Sequence, residues 1–515
     1  MGMSKSLKNP ELPPGAIVET YEDGGALRND GVTLTPASQN PWYVLATVAG
    51  EQEESSLLDI DDELHAKNRR VWNGWMCQGM AEGERAALAD KLGLPEEDLR
   101  PLSAEEKAEV KARFEAAFPD RSPKEMIPAP DATVDFRRVH FSSMLLLRRC
   151  HFTRCAVFKD AHFSRTAHFQ KAHFTKYADF RAVHVTGSAN FQQARFSGDA
   201  NFEKTYFTGR ADFRKAHFIK VAYFENVHFT GRANFEKAQF AGRADFRAAH
   251  FTWPTDFQAA HFNGEAFFRA AHFTWPADFR DAHFTGYADF QAARFHEYTN
   301  FSDGCFKAKT IFDGATFKGE VPQFFHREMH QDTGFSDDPK LWPEVTALNA
   351  KAGKRAYTRL RQVAAEIYDP DLEHFFLRQE MRCKARIEWD KGAWFHWLFF
   401  VLYRWIADSG ISVARPFWLL VFAWAFGLAC FAGHFDSGVL PEMPEDIQDS
   451  RYWAAAGVSF GNLFGFLGIN RLYFTDLLRD HSPDGLQFVA GAQTVAGVVL
   501  LFFLGLGLRN RFRLK

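Results

Sequence analysis

Cysteine is scarce in this sequence. Six residues, Cys77, Cys150, Cys155, Cys305, Cys383 and Cys430, are scattered through 515 positions. The nearest pair, Cys150 and Cys155, has a C-x4-C interval that is poor for zinc. The opening residues MGMSKSLKNPELPPG hold no apolar run, so no secretory signal is expected and the thiols should stay reduced. A phosphate-binding glycine loop, an H-E-x-x-H pair and a G-x-S-x-G elbow are also missing. These absences remove the usual grounds for an enzyme, and no catalytic, cofactor-binding or metal-ligating residue is assigned. Net charge is only −3, which points neither to nor away from a polyanionic partner.

Phenylalanine, in contrast, is abundant, with 56 residues. In ADFRAAHFTWPTDFQAAHFNGEAFFRAAHFTWPADFRDAHF, residues 244–284, Phe recurs at gaps that alternate between five and six. From Phe158 to Phe312 every eleventh residue is Phe, and a second series from Phe163 to Phe317 is broken only by Val185. Two residues before nearly every Phe sits a small residue, usually Ala. The unit is A-(D/N)-F-x-x-A-H-F-x-x-x, and repeats decide architecture before anything else. An eleven-residue period can also mark a helical supercoil. Here Trp253-Pro254, Trp275-Pro276, Gly209, Gly231 and Gly242 interrupt it, and helix interiors disfavour Pro and Gly. In a strand, positions i and i−2 share a face, so Ala and Phe turn inward together. A corner after each triplet then gives a coiled β-helix. Its inward ladder is expected to include Phe213, Phe218, Phe224, Phe229, Phe235, Phe246, Phe257, Phe268 and Phe279.

The repeat resembles the pentapeptide-repeat family, whose pattern is A-(D/N)-(L/F)-x-x. The resemblance implies a right-handed quadrilateral β-helix over residues 131–325. Every second unit carries an extra residue, so coils of 22 residues with two longer corners are expected. The fold class is thus mainly β, a repeat solenoid, with a helical N-terminal segment and a C-terminal α-helical transmembrane hairpin.

Residues 1–130 read as a separate acidic, partly helical segment, in which Ser103 opens an S-x-x-E capping box. Asp59, Asp61, Asp62 and Glu63 are expected to be a solvated face or helix cap rather than an acid/base cluster. Residues 336–392 read as a helical pair. Tyr357, Leu360, Val363, Ala364 and Ile367 follow the 3.6 period, and Asp371 is expected to cap the second helix. Two histidine sets have spacings that could suit metal ligands. His326 and His330 would share a helical face, while His217, His261 and His283, or His228, His250 and His272, would form outward rows on a coil. Gln239 and Arg294 replace His in the same slots, so the rows are read as tolerated outward residues and no metal is assigned.

Residues 393–515 form a membrane domain. The stretches 416–433 and 486–508 are uncharged and long enough to span. Both outer ends are basic and the 434–485 connection is acidic. Positive-inside then puts the N-terminus, β-helix and C-terminus in the cytoplasm, at an inner membrane. The segment 394–406 reads as interfacial. Within 452–469, Gly457, Gly461 and Gly465 recur every four residues, a packing stripe that fits a re-entrant helix between two spans. A full third span would place RNRFRLK outside, against positive-inside. The layout resembles two-span pore-loop ion channels but lacks a T-V-G-Y-G-like filter.

Between 136 and 317, 25 Lys and Arg face 16 Asp and Glu, too basic for mimicry of DNA. The expected function is a membrane-anchored protein whose cytoplasmic β-helix is a rigid protein-interaction scaffold. An ion channel with the β-helix as sensing or gating domain is the alternative, and a nucleic-acid-binding rod a lesser one. Expected partners are the lipid bilayer and an unidentified protein. Nucleic acid is not expected, a homo-oligomer is compatible with the Gly stripe, and no cofactor is implied.

Overall fold

The computed structural model describes residues 14–52, 60–435, 451–474 and 483–511. It divides into two units, one of residues 1–344 with 362–372 and the other of 345–361 with 373–515.

The first unit is built on four parallel sheets that wind as a solenoid of about nine turns. Each chain turn places four strands of two or three residues, and each strand pairs with the one 22 positions on. Ala211 thus opposes Ala233, and Phe218 opposes Phe240. The first face runs from Val134–Asp135 to Gly334–Phe335 and the second from Val139–Phe141 to Thr316–Phe317. The third runs from Leu145–Leu146 to Thr299–Asn300 and the fourth from His151–Phe152 to Cys305–Phe306. First and third faces carry the A-(D/N)-F units, second and fourth the A-H-F units.

The alternation of five and six arises from two kinds of corner. After each A-(D/N)-F strand the second residue adopts a left-handed conformation, as at Lys215 (φ 55°), Lys237 (φ 57°) and Ala248 (φ 51°). This turns the chain with no extra residue. The strain of such a non-Gly φ is offset by stacked backbone hydrogen bonds, for example Ala248 N to Arg269 O at 2.9 Å. The Asp or Asn of the unit caps the same corner. Asn234 Oδ1 accepts from Glu236 N at 2.8 Å, and Asp256 Oδ1 from Gln258 N at 2.9 Å. The six-residue corners follow the A-H-F strands and need no positive φ.

Inside, rings stack along each ladder and meet edge-on across it. Phe257 lies 4.9 Å from Phe279 at 4° and 5.6 Å from Phe268 at 90°, both favourable quadrupole geometries. The solenoid extends beyond the expected boundary at 325. Phe324 stacks on Phe301 and Phe335 on Phe312, each after one additional residue, and Trp342 covers Phe317 and Phe335.

The N-terminal segment is partly helical and belongs to the same unit as the solenoid. Strands β1 (Ile17–Thr20), β2 (Ala26–Arg28) and β3 (Thr33–Pro36) form an antiparallel meander, and β3 pairs in parallel with Val139–Phe141. The first coil would otherwise expose an unpaired strand edge. Helices α1 (Pro41–Ala46), α2 (Asp62–Met76), α3 (Glu82–Leu92), α4 (Ala104–Ala117) and α5 (Pro123–Met126) follow. Trp72 donates to His151 O at 3.1 Å, and Asn73 accepts from His151 N at 2.7 Å. The Ser103 capping box is present: Ser103 Oγ accepts from Glu106 N at 3.2 Å, and Ser103 N donates to Glu106 Oε2 at 2.7 Å. Asp61 caps α2, Asp62 pairs with Arg148, and Glu63 with Lys67. Asp59 lies outside the described residues.

Helices α6 (Ala350–Glu366) and α7 (Pro370–Asp390) form the expected pair, and Tyr357, Leu360, Val363 and Ala364 are buried. The cap of α7 is Asp369 rather than Asp371. Its Oδ1 accepts from Asp371 N and Leu372 N at 3.1 and 3.0 Å, because Pro370 takes the first helical position.

In the second unit, α8 (Trp394–Ala407) presents exposed Trp394, Phe395, Phe399 and Trp405. Helices α9 (Ala414–Phe435) and α12 (Asp484–Arg511) are long and apolar enough to cross a membrane. Between them packs α10 (Arg451–Leu463), which spans ~20 Å at 1.5 Å per residue. The apolar stretch expected to be helical to 469 breaks earlier. A 3-10 turn, Gly465–Leu467, leads to left-handed Gly468 and the short α11 (Ile469–Tyr473). Thirteen residues at 1.5 Å per residue fall short of a ~30 Å hydrocarbon core.

Candidate functional site

Two regions hold the residues singled out in the sequence. On the solenoid, Phe213, Phe218, Phe224, Phe229, Phe235, Phe246, Phe257, Phe268 and Phe279 are all buried in the ladders. With Ala, they fill the interior of the coils. Function on this unit therefore belongs to its outer faces.

The histidine rows lie outward in register. His228 and His250 stack at 4.7 Å and His261 and His283 at 4.9 Å. His283 Nδ1 approaches Cys305 Sγ at 3.3 Å and its Nε2 approaches Asp281 at 3.4 Å. His217 stands in the same row, two coils before His261, and His272 stacks beyond His250 at 4.8 Å. Among the described residues no group of three or more His, Cys, Asp or Glu is arranged to hold a metal ion. His326 and His330 fall in the irregular last turn, not on a helix, and each faces its own aspartate, Asp303 or Asp332. Their spacing of four is therefore not a helical face.

Several arginines on the first and third faces pair with the aspartate of their own unit. Arg214 and Arg210 both pair with Asp212, Arg247 and Arg243 with Asp245, and Arg181 with Asp179. The most exposed apolar feature of the solenoid among the described residues is the Trp-Pro punctuation of the repeat. Trp253 and Trp275 stack 6.2 Å apart on neighbouring coils and are 57% and 53% exposed. Their signal was visible, since a Trp-Pro repeated one coil apart must place two indoles side by side.

In the second unit the Gly stripe serves a different neighbour from the one expected. A Cβ on Gly457 would come within 2.9 Å of the Phe474 ring, and one on Gly461 would collide with Asn470. Both glycines thus receive the chain returning from α10, not a flanking span. Gly465 lies past the helix end, exposed in the 3-10 turn. On another side of α10 a polar network ties three helices. Gln493 donates to Ser459 Oγ and Ala423 O, both at 2.8 Å, and Ser459 donates to Trp424 O at 2.8 Å. Asn462 donates to Gln493 Oε1 at 3.0 Å, and Asn470 to Asn462 Oδ1 at 2.6 Å. Gly427 leaves the room that Gln493 and Ser459 occupy. Apolar clusters around Phe431, Ala455 and Val458 and around Leu420, Leu463 and Leu500 accompany the network. The spacing of Ser459, Asn462, Asn470 and Gln493 gave no hint of it, because the partners come from three separate segments.

Comparison with known proteins agrees with this geometry. The chain matches the family described as Pentapeptide repeats (9 copies) over residues 136–184, 169–214, 202–250 and 246–294. No curated protein and no solved structure matches. The coils from 136 to 294 thus match the pentapeptide-repeat family and are wound here as a Phe-cored β-solenoid, in a chain that also carries two helices apolar enough for a membrane.

Proposed function

We propose that the chain is a membrane-anchored protein whose solenoid is a rigid surface for binding another protein. The exposed Trp253–Trp275 pair carries this reading. Two indoles fixed on adjacent coils give a large apolar contact that loses little conformational entropy on binding, and Trp is enriched in interface hot spots. The Arg–Asp pairs interrupt the cationic charge of the first and third faces, whereas nucleic acid is held by an extended stripe of it. The reading is non-enzymatic, because the repeats spend their inward positions on Phe and Ala. It places α9 and α12 across the membrane with both ends of the hairpin, and the solenoid, on the cytoplasmic side. Purification of the full chain from its native membrane tests the scaffold role. A stoichiometric partner retained by wild type and by His261→Gln but lost from Trp253→Ser/Trp275→Ser supports it. Indifference of every co-purifying protein to the Trp pair overturns it.

One observation favours a second reading, an ion-conducting pore. Helix α10 is too short to span, packs against both long helices and turns back on itself through Gly468. Ion flux through liposomes containing the full chain, beside Gly461→Leu, decides it. Flux abolished by the variant makes α10 a pore element. Absence of flux from inserted protein across several ions leaves the anchor.

A further inference from the structure

Charge is unevenly distributed along the solenoid. Residues 136–220 hold 16 Lys and Arg against five Asp and Glu, while 221–317 hold nine against eleven. The basic half is also where the N-terminal segment packs. There the C-terminal end of α3 overlies the corner between the third and fourth faces and encloses a cavity of about 500 Å³. Lys91 comes from α3, Lys171 and Lys215 from left-handed corner positions, and Arg195 and His217 from the fourth face. Asp90 is the one carboxylate in the lining.

The cations are placed without partners. Among the described residues, none of Lys91, Lys171, Arg195 or Lys215 reaches a carboxylate, although arginines on other faces do so repeatedly. Arg195 Nε is buried and has no hydrogen-bond partner. Burial, then the field of Arg195, lowers the affinity of both Lys91 and His217 for a proton. Like charges drawn together and partly desolvated cost free energy unless a counter-charge enters.

We propose that this cavity binds a multivalent phosphate-bearing anion. Four lysine and arginine charges against one aspartate exceed what a single carboxylate can neutralise. Coils stacked at ~4.8 Å also space the donors over the span of two phosphoryl groups. The same chemistry is offered by a soluble diphosphate and by a phosphomonoester lipid headgroup.

Calorimetric titration of the detergent-solubilised full chain tests the proposal with two probes, inorganic pyrophosphate and phosphatidic acid carried in maltoside micelles. Phosphatidylcholine micelles are the blank. Saturable binding of at least one probe is expected, weakened by salt and reduced roughly tenfold or more in Lys171→Gln/Lys215→Gln. Gln193 already occupies the same corner column, so these substitutions should leave the fold intact, and an unchanged melting midpoint without ligand checks this. The control is Lys237→Gln, next along the column, outside the cavity and paired with Glu236. Pyrophosphate binding identifies a soluble ligand, and binding of phosphatidic acid alone a headgroup. If neither probe binds, or if Lys237→Gln weakens binding as much as the cavity variant, the site does not exist.

Discussion

The imidazoles of His162 and His184 stand parallel, 6.1 Å apart, on the second face of the solenoid beneath the N-terminal segment. Arg28 of that segment donates to Asp160 O and Ala182 O at 3.1 and 3.3 Å, beside both rings. Burial, then His140 and Arg28, pushes His162 down to about 3; burial, then Arg28, pushes His184 down to about 2. On the fourth face burial and Lys91 hold His151 at about 4, and burial with His151 holds His173 at about 3.

An unfolded histidine titrates near 6.5, so all four are neutral in the folded chain and charge only on unfolding as pH falls. Their contribution is present in full above pH ~6.5 and declines below it by about 1.4 kcal/mol per group per pH unit, down to the folded values. The melting midpoint of the full chain is therefore expected to fall between pH 7 and pH 5, above the range where carboxylates titrate. His162→Gln/His184→Gln should flatten that fall. A midpoint constant down to pH 5 would refute the buried neutral assignment.

Phe257 has ring neighbours above, below and across the core, whereas the His261 ring projects outward four residues later. Phe257→Ala is expected to cost roughly 3–5 kcal/mol and His261→Gln ~0.5 kcal/mol or less, read from denaturant midpoints. Similar costs at the two positions would contradict the inward ladder.

The Phe period revealed the solenoid because every coil repeats the same core demand, so each copy reinforces the pattern. The corner rule was written in the same letters but read less fully. The Asp or Asn of the unit accepts the backbone N–H two residues on. Contacts made once per chain were not legible. Neither the pairing of Thr35 with Val139 nor the meeting of Gln493 with Ser459 repeats, and both join residues far apart in sequence. A stripe such as Gly457–Gly461 cannot say which segment approaches it, and here that segment is the one holding Asn470 and Phe474.

Arg327 shows how the ladder ends. It is buried at 1% exposure, donates to the carbonyls of Phe301, Cys305 and Phe279, and lies 4.4 Å over the Phe306 ring. Arg327→Met keeps most of the apolar stem but removes the guanidinium donor from the Phe301 and Cys305 carbonyls, while Phe279 O still accepts from Ala282 N. A loss of about 1–3 kcal/mol is expected, seen as earlier proteolysis near the C-terminal coils. Wild-type resistance in the variant would show that the stem alone closes the solenoid.

Gln493 is the hub on which α9, α10 and α12 converge, and its replacement isolates what the polar network contributes. Gln493→Leu preserves volume but removes donors to Ser459 and Ala423 and the acceptor of Asn462. In a lipid-like surrounding the abandoned groups have no water to turn to, although interhelical hydrogen bonds there average under ~1 kcal/mol each. Three lost contacts should together cost about 1–3 kcal/mol, measured as a lower melting midpoint in detergent. Thr494→Val is the control, because Thr494 is exposed and its hydroxyl donates to Ala490 O of its own helix. A large drop for Gln493→Leu alone would show that α10 is held by polar contacts. Equal, small drops would assign its position to the apolar clusters around Phe431 and Leu420 instead.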